Sequence, residues 1–269
     1  MKNFNDQKTL ELNELINELI TKIIDKNNQK FYFSTDEMFD ILNLLKEGAD
    51  PVVLKAANEF NLDIRDYFGN TILMCASENK KYLDVIEPLI EVGFDVNSKN
   101  NYGNNALMFG VCSNIQAVEI LLKAGAKIDS KNSYNDAPIF HAIKKRDLDL
   151  VKLLVKYNAN LEIKDELGNT PLMISCFQGK DISKFLIENT NVNVNTANSF
   201  GNTPLIESTR YQNKEIIDLL IDNGADVLAE NKKGESPLYY ATINNNIELI
   251  ESLNDIIYNM NMESKNISM

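Results

Sequence analysis

The stretch Leu161-Glu162-Ile163-Lys164-Asp165-Glu166-Leu167-Gly168-Asn169-Thr170-Pro171-Leu172 returns along the chain in a constant register. Its glycine has counterparts at Gly69, Gly103, Asn135, Gly201 and Gly234, so that successive anchors lie 34, 32, 33, 33 and 33 residues apart. Each anchor is followed by a related run: Thr71-Ile72-Leu73, Asn105-Ala106-Leu107, Ala137-Pro138-Ile139, Thr203-Pro204-Leu205 and Ser236-Pro237-Leu238. Upstream, Leu62-Asp63-Ile64-Arg65-Asp66-Tyr67-Phe68-Gly69 follows Leu161–Gly168 position by position. A period near 33 residues identifies a repeat architecture in which one supersecondary unit is copied and stacked.

The residues dictate the unit. The polar, extended run before each anchor, ended by a residue that tolerates left-handed backbone, reads as a tight hairpin-like turn. Pro138, Pro171, Pro204 and Pro237 stand where a first helical turn has no use for a backbone donor, and Thr170, Thr203 and Ser236 precede them as N-caps. About ten residues on, a second apolar run such as Leu148, Leu150, Val151, Leu153, Leu154 and Val155 closes at Asn158-Ala159-Asn160; elsewhere the closure is Gly125-Ala126 or Gly224-Ala225. Each unit is therefore two short antiparallel helices and a loop. A single pair cannot bury its own apolar face, so neighbours must stack.

The pattern resembles the ankyrin repeat, in which D-x-x-G-x-T-P-L-H-x-A is followed by a second helix and G-A-D-V-N. The likeness runs over about residues 61 to 254 and recurs in register. It implies an all-α ankyrin-repeat solenoid of helix-turn-helix units joined by hairpin-like loops, with a protein partner held along the turn tips and first helices. The chain departs from the pattern at the family's histidine position, where Met74, Met108, Phe140, Met173, Ile206 and Tyr239 replace hydrogen bonding with apolar packing.

The ends of the chain deviate from the repeat. Leu12, Leu15, Ile16, Leu19, Ile20, Ile23 and Ile24 follow helical spacing and predict a helix of about 18 residues. Residues 1–35 are read as a helical N-terminal cap, a segment that either shields the end of the stack or docks elsewhere. Ser34-Thr35-Asp36-Glu37 starts a second helix that ends at Gly48-Ala49-Asp50-Pro51, and Val52 to Phe60 predicts a third; residues 36–65 thus form a degenerate first repeat. Six repeats occupy residues 66–258, the last serving as a cap, and residues 259–269 lack periodicity and are expected to be disordered. Two weak joints are expected: Pro88 inside a second helix, and Asn191-Val192-Asn193 in place of G-A-D.

Composition excludes several classes. A net charge of −12 and a pI near 4.7 argue against nucleic acid and against an anionic membrane, and favour a protein partner, a basic one above all. Apolar runs are broken by charge, and Asp6, Glu11, Glu14 and Glu18 occupy the N-terminus, so a cytoplasmic, non-secreted monomer is expected. Cys75, Cys112 and Cys176 are too few and too scattered for a disulfide framework or a metal site and are read as buried, reduced thiols. His141 is the sole histidine. Without a phosphate loop, a dinucleotide fingerprint or zinc-ligand spacing, no catalytic, cofactor or metal residue is assigned, and the chain is read as a binding protein rather than an enzyme.

The candidate contact residues follow from the register. Immediately before the anchors stand Phe68, Tyr102, Tyr134, Leu167, Phe200 and Lys233, a nearly unbroken row of large apolar side chains. Such a row fits an interaction stripe, and equally tips that pack on one another. At the ends of the first helices, Phe177 and Tyr211 are aromatic, while Lys144 and Arg210 are basic. The expected contact set is Phe68, Tyr102, Tyr134, Phe177, Phe200 and Tyr211, with Lys144 and Arg210 setting charge specificity. Three roles suit such a surface: a protein-binding scaffold, a dedicated inhibitor or immunity protein that occludes an enzyme, or a host-directed effector.

Overall fold

The computed structural model describes residues 2–26, 32–52 and 65–267. Fourteen α-helices and no strands are found among them, beyond isolated bridges from Phe33 to Asp66 and from Arg65 to Thr71. The chain divides into two units, residues 1–133 and 134–269, each a stack of helix pairs.

In the first unit, α1 (Lys2–Lys26) lies against α2 (Thr35–Lys46), burying Leu12 and Ile16, and Asn13 Oδ1 accepts the Asp50 amide at 2.8 Å. Helix α1 is longer than its apolar run because no glycine or proline interrupts residues 2–26. Ser34 and Glu37 form the capping box that their spacing predicts. The expected helix at residues 52–60 lies, past Val52, outside the described residues. Two full pairs follow: α3 (Ile72–Glu78) with α4 (Leu83–Glu91), and α5 (Ala106–Ser113) with α6 (Ile115–Lys123). In the second unit the pairs are α7 (Pro138–Lys144) and α8 (Leu148–Lys156), α9 (Pro171–Gln178) and α10 (Lys180–Asn189), α11 (Pro204–Arg210) and α12 (Lys214–Asp222), and α13 (Pro237–Ile243) with α14 (Ile247–Ile267).

Within each unit first helices pack on first helices, with second helices behind them. The core positions are those where the family histidine is replaced: Met74, Met108, Phe140, Met173 and Ile206 are all buried. Full burial of each contributes about 1.5–3 kcal/mol. Tyr239, in the last copy, is 43 % exposed, because no further first helix covers it. Thr71, Asn105, Thr170, Thr203 and Ser236 each accept the backbone N–H three residues on, whereas Ala137 leaves α7 without a side-chain cap.

Several expectations change. Helix α14 runs on to Ile267 where disorder is expected beyond residue 258, since Asn259 to Ile267 contains neither glycine nor proline to stop it. Pro88 sits within an unbroken α4, and the extra residue of this repeat is absorbed by a 3₁₀ turn, Lys80–Tyr82, between the two helices. No residue of Asn191-Val192-Asn193 is left-handed; α10 ends in extended Thr190, whose hydroxyl donates to Leu186 O at 2.6 Å. Cys112 is exposed, not buried, although all three cysteines are free thiols. No helix among the described residues is long and apolar enough to cross a membrane.

Candidate functional site

The turn tips are registered by asparagine. Asn198 Oδ1 accepts the amides of Phe200 (2.9 Å) and Asn202 (3.1 Å), closing its own turn. Its Nδ2 donates to Asn169 Oδ1 of the preceding repeat at 2.9 Å. The same bond joins Asn231 to Asn202 (2.8 Å), Asn100 to Asn70 (2.7 Å) and Asn132 to Asn104 (2.9 Å). Asparagine after the anchor is therefore not only a local turn residue: its side-chain oxygen ties one repeat to the next. The backbone adds a second tie, in which the carbonyl of the tip residue accepts from the following tip: Asn101 N to Phe68 O (3.1 Å), Ser133 N to Tyr102 O (2.9 Å), Ser199 N to Leu167 O (3.0 Å) and Lys232 N to Phe200 O (3.0 Å). Main-chain groups are consumed while the tip side chains stay outside. Phe68, Tyr102, Tyr134, Leu167 and Phe200 are between 43 % and 61 % exposed.

Close approach of tips demands the anchor glycines. A Cβ on Gly201, at φ 84°, would stand 2.8 Å from Lys232 N, and one on Gly168 2.7 Å from Ser199 N.

In the second unit the tips and first helices of the last copies enclose a concave pocket of about 630 Å³. Four of the eight expected contact residues meet there: Phe177, Phe200, Arg210 and Tyr211. The rings of Phe177 and Tyr211 are 5.4 Å apart, and the Arg210 guanidinium lies 5.8 Å from the Tyr211 ring centre. Left-handed Gln212, at φ 58°, follows Tyr211 and closes the first helix, leaving both residues at its end free to border the pocket.

The floor carries charge that composition does not reveal. Glu207 is buried, and its Oε1 accepts Asn202 Nδ2 at 2.6 Å and Asn198 Nδ2 at 3.4 Å. Arg210 stands 3.9 Å from its other oxygen. Glu235, in the same lining, accepts Asn231 Nδ2 (2.8 Å) and the Tyr240 hydroxyl (2.7 Å). Those two donors hold the Glu235 carboxyl below its ordinary pKa, while desolvation and the adjoining carboxylate push the Tyr240 phenol up to about 12. Sequence reasoning missed Glu207, Glu235 and Tyr240. The available signal was the helical register: the position six residues past the anchor is Cys75, Phe109, His141 and Ile174 in other copies, so a carboxylate at 207 breaks an otherwise largely apolar column.

The remaining expected residues are dispersed. Phe68 and Tyr102 are exposed at tips of the first unit, and Tyr134 at the start of the second. Lys144 is held by Asp136, at 2.9 and 2.8 Å from its two oxygens, so its charge is answered inside its own repeat. Among the described residues no cluster of three or more His, Cys, Asp or Glu side chains is placed to hold a metal.

The family model described as ankyrin repeats (3 copies) matches residues 30–132, 129–198 and 191–266, and the chain belongs to this family. An ankyrin repeat domain from Acinetobacter baumannii is similar at 26 % identity and a TM-score of 0.63, over 67 % of this chain and 95 % of that one. A chain in the complex of a predatory endopeptidase from Bdellovibrio bacteriovorus with its immunity protein matches at 26 % identity and a TM-score of 0.59, over 68 % and 96 %. The ankyrin repeat domain of Bcl-3, a member of the IkappaB family, shares the fold at 20 % identity and a TM-score of 0.65, over 74 % and 92 %. No curated protein matches.

Proposed function

We propose that the chain is a protein-binding module that holds its partner against the turn tips and first-helix ends, and that it acts by binding, not catalysis. The observation that carries this reading is the convergence of Phe177, Phe200, Arg210 and Tyr211 on one concave pocket. Exposed aromatic side chains beside a cation are the anchor type that dominates protein interfaces. The net charge of −12 favours a basic protein over nucleic acid, and three free thiols suit a reducing, cytoplasmic setting. The chain is taken to work as a monomer. The test is capture from native extract by the tagged full chain, beside a Phe200→Ala/Tyr211→Ala variant with an unchanged circular dichroism spectrum. A partner depleted at least tenfold by the variant is the expected result; equal recovery would move binding to another face.

A second reading, a dedicated inhibitor, draws on the similarity to a chain of the endopeptidase–immunity protein complex. It requires that the captured partner be an enzyme and lose activity when the chain is added in equimolar amount.

A further inference from the structure

Asp66 and Glu207 are the buried carboxylates among the described residues, and they are treated differently. Asp66 spends both oxygens inside its turn: Oδ1 accepts the amides of Phe68 and Asn70, at 2.9 and 2.8 Å, and Oδ2 accepts Asn70 Nδ2 at 2.9 Å. Glu207 is anchored through Oε1 alone, since Arg210 at 3.9 Å from Oε2 lies beyond hydrogen-bond range. Glu207 lines the pocket, and the oxygen that no donor reaches is not sealed from it. Glu235, which lines the same pocket and is linked to Glu207 through Asn231 and Asn202, is likewise held through a single oxygen, Oε2. The rings of Phe177, Phe200 and Tyr211 complete the enclosure. Arg210 already places a guanidinium near the Tyr211 face, which shows that this ring accommodates a cation.

We propose that this pocket receives one basic side chain, arginine or lysine, from the protein partner, with its charged head on Glu207 Oε2 and Glu235 and its stem against Phe177, Phe200 and Tyr211. The inference rests on the protein-binding reading above and adds the chemistry of the group that is bound. Lys232 and Lys233 stand exposed on the rim. They repel a run of positive charge while the floor attracts a single one, so the pocket selects an isolated basic residue over a polybasic segment. Arg210 competes for the same carboxylate and gives way to the incoming head group.

The test is a titration of the ¹⁵N-labelled full chain with Ac-Gly-Arg-Gly-NH₂, Ac-Gly-Lys-Gly-NH₂, Ac-Gly-Glu-Gly-NH₂ and Ac-Gly-Leu-Gly-NH₂. The arginine and lysine peptides are expected to shift the amide signals of Asn198, Asn202 and Asn231, and the other two to leave them in place. Glu207→Gln weakens the arginine peptide at least tenfold, and Arg210→Ala, which removes the competitor for Glu207, tightens it. Should Glu207→Gln fail to fold, Tyr211→Leu serves in its place, with an expected loss of at least threefold. The proposal is overturned if the glutamate peptide binds best and depends on Arg210 or Lys233, if all four peptides act alike, or if none binds. Loss of the captured protein partner in Phe200→Ala/Tyr211→Ala, with no arginine-peptide shifts, would leave the protein-binding reading standing and remove this inference alone.

Discussion

The repeats anchored at Gly103 and Gly201 share a turn and differ in what they put behind it. In both, an asparagine three residues before the glycine takes the two amides that flank it and reaches back to the previous repeat, at 2.7 Å for Asn100 to Asn70 and 2.9 Å for Asn198 to Asn169. In both, the tip aromatic, Tyr102 or Phe200, gives its carbonyl to the next tip and keeps its side chain outside. Six residues past the anchor the two copies part: Phe109 is half-buried and apolar, whereas Glu207 is buried and charged. The copies also close their first helices differently, through extended Asn114 (φ −148°) and left-handed Gln212 (φ 58°). The turn and the core register carry the stack, so the sixth position is free to be apolar, titratable or charged, and binding chemistry can change there without disturbing the fold.

The comparison can be broken most severely at the anchors. Gly103→Ala and Gly201→Ala each force a Cβ to within 2.9 and 2.8 Å of the next tip's backbone, from a positive φ. Each should cost roughly 1–3 kcal/mol in urea denaturation. A large inequality between them would show that the two turns are not equivalent. Next, Asn100→Ala and Asn198→Ala strand two amides and a neighbouring asparagine, at about 1–3 kcal/mol each. Only Asn198→Ala should also alter arginine-peptide binding, because only Asn198 reaches a floor carboxylate, Glu207.

His141 holds the sixth position in the repeat anchored at Asn135, one of the two between these, and burial lowers its pKa from the ordinary 6.5. The folded state thus resists a proton that the unfolded chain accepts. Stability is full above about pH 6.5 and declines as the pH falls below it. His141→Phe, which copies Phe109, should flatten the decline in Tm between pH 7.5 and pH 5.5 relative to the parent; parallel profiles would refute the assignment. The smallest effect has opposite signs in the two copies. Gln212→Gly relieves a left-handed backbone and should add about 0.5 kcal/mol. Asn114→Gly removes a cap, Gln116 N to Asn114 Oδ1 at 3.2 Å, and should cost a few tenths of a kcal/mol, ~0.3.

Helix order, turn position and core register were legible in the sequence because each rests on local chemistry. Proline at N1 after Thr170, Thr203 and Ser236 marks a helix start whatever surrounds it. The candidate contact residues were half legible: the spacing of the repeat located Phe177, Phe200, Arg210 and Tyr211, and only the stacking of repeats brings them to one pocket. The pairing of Lys144 with Asp136, eight residues earlier, was not legible, because it forms only once the turn and the first helix have folded on one another. The expected disorder beyond residue 258 mistook lost amphipathicity for lost helix, although Asn259 to Ile267 contains no helix breaker.

By itself the sequence determined that this chain is a stack of some 33-residue helix pairs, since a repeated pattern of caps, prolines and apolar spacing specifies each unit locally. Tertiary structure alone decided that Glu207 would be buried with one oxygen open, that asparagine would bridge repeats, and that four scattered side chains would border one pocket. Those features depend on atoms about 30 residues apart in the chain, and only the stacking of one repeat on the next brings them within hydrogen-bond distance.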